Sequence, residues 1–174
     1  MRLVVLSGPR PAVWEHDPAL HVREVPRLNF PEGEDGDKAH AAEEKAAVQE
    51  FIDAFTRYHE TYDLAQLPLR EGREPMVFMV GQLTPAQLAV VASAQTLGER
   101  VMLELAFGVR EIRGLTLEDE QGQPVKMFEK AKAGPRLTEA ALQIFADASL
   151  RTSIHGHVLR ANRLTTEARK SDPA

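Results

Sequence analysis

The residues best able to do chemistry in this chain are its six histidines, and their spacing directs the first reading. His155 and His157 flank Gly156. Two imidazoles at i and i+2 share a face only on a strand; on a helix they diverge by roughly 200°. The surrounding pattern is helical, so the pair reads as two polar side chains beside a packing seam. A metal there would need one of them to meet a distant Asp or Glu. His59 and Asp63, like His40 and Glu44, stand at i,i+4, a spacing that can grip a divalent ion but more commonly makes weak surface pairs. Neither an HExxH run nor an EF-hand loop is present.

Nucleophiles are no better placed. With no cysteine, thiol catalysis, disulfides and Cys-type zinc or iron–sulfur ligation are excluded. Ser7-Gly8 follows an apolar run as a phosphate-binding turn would, but Pro9 stands where a backbone donor is needed. No GxxxxGK[ST], GxGxxG or GxSxG motif occurs. The sequence is therefore read as that of a protein without catalytic residues, metal or cofactor, acting by binding other proteins. The residues proposed to meet a partner are Trp14, a large aromatic in a proline-rich stretch, and Met76, Phe78 and Met79 in an apolar run.

The elements that position these residues follow from punctuation and periodicity. Arg2–Leu6 reads as an N-terminal strand, and Pro9, Pro11, Pro18, Pro26 and Pro31 keep the next stretch extended, with a short edge strand near residues 12–16. Residues 31–37 read as a loop. Val48, Phe51, Ile52, Phe55 and Tyr58 recur at helical spacing and predict an amphipathic helix over 39–58 with these five on its buried stripe. Residues 76–80 predict a strand. Thr84-Pro85-Ala86-Gln87 is helix-start chemistry (a capping hydroxyl, a proline at the first helical position, a glutamine to reach back), and one long helix is expected from there to about Ala106, stopping at Gly108. A hairpin pairing 114–117 with 125–128 is expected around a turn at 119–122. Residues 131–135 read as a loop, followed by helices from Leu137 and over 150–163. The fold class expected is α+β and predominantly helical: three to four amphipathic helices, a short N-terminal strand and a small hairpin. The expected division is an N-terminal segment, 1–38, and a mainly helical domain, 39–174.

An apolar fraction of 43% over 174 residues supports a folded core, and the scarcity of Trp and Tyr assigns that core to Leu, Val, Ala, Met and Phe. No stretch reaches the roughly twenty apolar residues of a membrane span, and the N-terminal apolar run is too short for a signal peptide. The protein is thus expected in the cytosol, away from membranes. Charge is uneven: residues 1–84 carry 9 Lys/Arg against 15 Asp/Glu, and residues 85–174 carry 12 against 11. The few cations near the C-terminus read as a solvated helix face, not a nucleic-acid site.

From about Pro75 onward the succession EPMVFMVGQLTPAQL, AQTLGERVMLELAFGVREI, GPRLTEAALQIF and HGHVLRANRLTTEARK resembles small proteins of tailed bacteriophages, tail-assembly-chaperone-like or tail accessory proteins. The matching stretches are Phe78–Thr84, Leu137–Leu142 and Asn162–Lys170. The resemblance implies a non-enzymatic protein that binds the tape-measure protein or neighbouring tail components in the cytoplasm of an infected bacterium, or that remains in the virion. It carries no catalytic residues. The acidic N-terminal half supports the alternative of an adaptor or inhibitor directed at a host protein.

Overall fold

The computed structural model describes the backbone of residues 8–170 and the side chains of residues 8–162. The strand expected at Arg2–Leu6 and the last four residues of the expected polar tail lie outside the described residues. The described residues form two compact units: one contains those up to Trp14 and from Met76 onward, the other Glu15–Pro75. The boundary expected at 38/39 falls inside the first helix instead. Composition could not reveal this, because the first unit is closed by pairing between strands far apart in sequence.

In the first unit, β1 (Arg10–Val13), β2 (Val77–Val80) and β3 (Val109–Arg113) form an antiparallel sheet with β2 in the centre. Ala12 pairs with Phe78, and Phe78 with Ile112. Alternate residues of a strand face one side, so Ala12, Phe78 and Val80 point together into the core. Between Met79 and Val80 the β2–β3 register shifts, Met79 pairing with Glu111 and Val80 with Val109. Arg110 is the extra residue of this bulge, and a bulge re-aims the side chain it carries. The Arg110 guanidinium donates to the Gln82 carbonyl and to Gln87 Oε1, and burial pushes it below its ordinary pKa.

The single long helix expected after Thr84 is two helices, α2 (Pro85–Ala92) and α3 (Leu97–Gly108); α1 lies in the other unit. Thr84 accepts from Gln87 N while Gln87 Oε1 accepts from Thr84 N, the reciprocal pair anticipated from sequence. The break comes from a second threonine cap, whose glutamate reaches the residue before the cap. Thr96 accepts from Glu99 N, and Glu99 Oε2 accepts from Gln95 N. Beyond β3, β4 (Phe128–Ala131) and β5 (Gly134–Leu137) make a tight hairpin where a loop was expected. The expected hairpin further upstream is reduced to one bridge, Glu118 to Pro124, around a turn held by Asp119. Short α4 (Glu139–Leu142) leads to α5 (Ala148–Lys170), which runs longer than expected.

Leu150, Ile154 and Val158 recur every four residues on α5 and meet Phe78, Leu105, Leu137 and Phe145 in one buried cluster. Phe78 and Phe145 lie 5.7 Å apart between ring centroids. Helices α3 and α5 pack closely at Gly108, whose missing side chain makes room for Val158. A second, smaller cluster joins Leu83, Val91 and Phe107.

The second unit is organised on α1 (Glu34–Thr61), which starts five residues earlier than its apolar periodicity suggests. Glu34, Asp35 and Asp37 crowd the first turn, where acidic side chains favour the positive end of the helix dipole. The helix ends at Tyr62, which takes a left-handed conformation (φ 56°). Five α-helices among the described residues, two small antiparallel sheets and extended connections make the fold α+β, with one helix more than the three to four expected. No helix among the described residues is long and apolar enough to cross a membrane.

Candidate protein-docking face

The second unit concentrates negative charge. It carries 7 Lys/Arg against 15 Asp/Glu (net −8), whereas the rest of the chain carries 14 against 11 (net +3), together the −5 of the whole. The structural division thus separates charge more sharply than the linear halves do.

Residues that precede and follow α1 are tied together and strapped along it. His21 N donates to the Pro68 carbonyl at 2.9 Å and Arg70 N to the Ala19 carbonyl at 2.8 Å, with Leu20 bridging to Leu69. Arg23 forks between Glu43 (2.8 Å) and Glu50 (3.2 Å) of α1, and these hydrogen bonds hold its guanidinium above its usual pKa. Arg27 reaches Asp37 at 2.6 Å and the Pro31 carbonyl at 3.0 Å. His40 Nε2 meets the Val25 carbonyl at 2.8 Å. Exposed ion pairs contribute little individually because water screens them, so the strap is held by their number and by the backbone bonds.

This arrangement changes which face of α1 is buried. Ala47, Ala54, Phe55 and Tyr58 are buried, but Val48 and Ile52, expected on the same stripe, are 47% and 48% exposed. The burial seam is rotated toward Ala47, and Val48 and Ile52 form an apolar edge beside it. Glu44, Val48 and Ile52 stand at i, i+4 and i+8, in one line on the helix surface. Between this edge and the strap runs an open cleft of about 470 Å³ lined by Val22, Val25, Pro26 and Val48, with Glu24 and Glu44 at its rim. A second cleft, of about 680 Å³, shares Val22 and continues past Leu20 and Phe51.

The residues singled out from sequence lie elsewhere, in the first unit. Phe78 is wholly buried and serves the core, leaving it no surface to offer a partner. Trp14 and Met76 are partly buried against that core, and Trp14 Nε1 donates to Ser149 Oγ at 3.2 Å. Met79, on the opposite side of β2 from Phe78, is partly exposed and pairs in register with Pro11 and Glu111. Trp14 and Met76 directly follow and precede the paired residues Val13 and Val77, so these two are brought near one another by the sheet register.

His155 does meet a distant carboxylate. Its Nε2 lies 2.5 Å from Glu104 Oε2, and Arg100 Nε donates to Glu104 Oε1 at 3.2 Å. Glu104 is nearly buried; one of its oxygens joins α3 to α5 through His155, and the other takes Arg100 one turn earlier on α3. His157 is buried on the diverging face of α5. Among the described residues no group of three His, Asp or Glu is disposed to hold a metal. His40 sits 3.7 Å from Glu44, and Asp63 Oδ1 accepts from Ala65 N. Signals for the α1 face were present in the sequence, namely apolar residues at helical spacing among acids; which of them would be left exposed was not. No protein-family model matches the chain, and neither a curated protein nor a solved structure matches it.

Proposed function

We propose that this chain is a non-enzymatic protein-binding factor of tailed-bacteriophage assembly that engages its partner through the α1 face of the acidic unit. The observation that carries the binding part is exposed Val48 lining an open cleft with Val22, with exposed Ile52 one turn further along the same helix line, on a unit of net charge −8. Exposed apolar side chains grouped beside a cleft and rimmed by polar residues are the usual mark of an interaction surface. The phage part is supported by the resemblance of residues 75–170 to tail-assembly-chaperone-like proteins, whose partners are the tape-measure protein and its neighbours. In that setting the protein works in the cytoplasm of the infected cell or stays in the virion.

Affinity capture of the tagged protein from infected cells, followed by mass spectrometry, tests this reading. Recovery of tail proteins is the expected result, and their presence together with this chain in purified virions would mark it as a structural part. Recovery of a host protein without phage proteins would replace the reading with an adaptor or inhibitor, which the acid excess of the same unit also favours.

A further inference from the structure

We infer that the occupant of the α1 cleft is a basic amphipathic helix of the partner protein, seated on Val22 and Val48 and running on over exposed Ile52 beyond the cleft, with its cations against Glu24 and Glu44. The inference rests on the protein-binding reading above and adds the chemistry of what is bound.

Charge supplies the first argument. Arg23, the cation at the cleft, is already shared between Glu43 and Glu50, a group that retains one negative charge. Glu24 and Glu44 line the cleft beside Arg23, so its charged lining is net negative around an apolar floor, and the one cation there is already matched outside it by Glu43 and Glu50. An acidic or neutral partner would leave those carboxylates without compensation, whereas Lys or Arg flanking an apolar stripe meets both features at once.

Shape supplies the second. From Glu44 to Ile52 the exposed line extends about 12 Å along the helix axis, and a ridge of side chains at i, i+4 and i+8 is read by the ridges of another helix. A partner adding a β-strand would need an open sheet edge. Among the described residues this unit offers only the isolated bridge from Leu20 to Leu69.

The test uses the full-length protein and a synthetic helical peptide of about 18 residues, with leucines at i, i+3, i+4 and i+7 flanked by lysines. Two controls accompany it: the same composition scrambled, and the same pattern with glutamate for lysine. Binding is read by fluorescence anisotropy at about 0.05 M and about 0.3 M salt. The patterned basic peptide is expected to bind and to weaken with salt. V48S/I52S and, separately, E24K/E44K should each weaken it on the order of tenfold. All four positions lie at the surface, so unchanged circular dichroism and melting temperature separate lost binding from lost folding.

Equal binding of the scrambled or acidic peptide, no binding at all, or no effect of either variant pair would overturn the inference. A dimer in sedimentation equilibrium that V48S/I52S dissociates would overturn it in favour of a second copy of this chain. Capture of tail proteins that survives V48S/I52S sinks the inference together with docking through the α1 face, and leaves the tail-assembly role standing. Peptide binding with no protein captured from infected cells does the reverse.

Discussion

Gly108→Ala is the substitution that most directly probes how the first unit is packed. A Cβ at Gly108 would lie 2.5 and 2.8 Å from the two methyl groups of Val158, and 3.3 Å from its Cβ. Val158 is fully buried and β-branched within a helix, so one χ1 rotamer dominates and the side chain cannot swing aside. Two effects then compete. Alanine stabilises helical backbone relative to glycine by about 0.5–1 kcal/mol, and less at a helix end. Forcing a methyl into a filled core costs about 1–3 kcal/mol, so a net loss of about 1–2 kcal/mol is expected. Val158→Ala alone should cost about 2 kcal/mol by leaving a cavity. In the double variant the new methyl enters that cavity, and the combined cost should fall short of the sum by at least about 1 kcal/mol. Urea unfolding followed by fluorescence is suited to this, because Trp14 is the only tryptophan and lies against the first unit's core. A Gly108→Ala protein as stable as the wild type, or strict additivity in the double variant, would refute the close-approach argument.

Other substitutions probe other joints. Gly36→Ala would place a Cβ 1.8 Å from the Pro31 carbonyl oxygen, a contact only backbone movement can relieve; tryptic cleavage after Arg27 should become faster, and an unchanged rate would argue against that packing. Asn162 accepts from Leu83 N at 2.9 Å and donates to the Val158 carbonyl at 2.8 Å, so Asn162→Ala should lower the urea midpoint by an amount equivalent to about 1–3 kcal/mol. Thr96→Ala removes the cap that starts α3 and should cost about 1 kcal/mol, matched by Thr84→Ala at the start of α2; a neutral Thr96→Ala would mean the break between the helices is set by something else. Glu104→Ala leaves His155 and Arg100 without their shared acceptor and should destabilise more than Glu111→Ala, whose partner Arg113 is exposed; equal midpoints would count against a structural role for the α3–α5 pair.

What could be read from the sequence was local. The capping box at Thr84–Gln87 and the β2 strand needed only neighbours in the chain, and both appear at their expected positions. Thr96 and Glu99 carry the same kind of signal, but apolar residues continue on both sides and conceal the break. Strand β3 was not legible because Arg110, Glu111 and Arg113 interrupt its apolar pattern, and the partner that makes it a strand lies some thirty residues earlier. The hairpin was misplaced because Gly122, with φ of 73°, closes a turn that leads to a single bridge, while Lys132-Ala133 join β4 to β5 without a characteristic turn dipeptide. For α1, periodicity revealed the helix and its broad apolar side. The direction from which the strap would cover it was set by Arg23 and Arg27 reaching to α1 and by His40 of α1 meeting the Val25 carbonyl, and Val48 and Ile52 stay in contact with solvent.

The pairing of β1 with β2 brings Val13 beside Val77, with residues 14–76 as the connection between them. Closing so long a flexible connection costs about 2–3 kcal/mol more than closing a four-residue turn. The Ala19–Arg70 and His21–Pro68 hydrogen bonds lie just inside that connection and clasp its two ends. Once the clasp has formed, the stretch still to be closed shrinks from more than sixty residues to little more than the few on either side. During synthesis β1 leaves the ribosome first and has no neighbour to pair with until β2 follows. A clasp that closes before the sheet therefore removes most of the loop-closure cost from the pairing of β1 with β2.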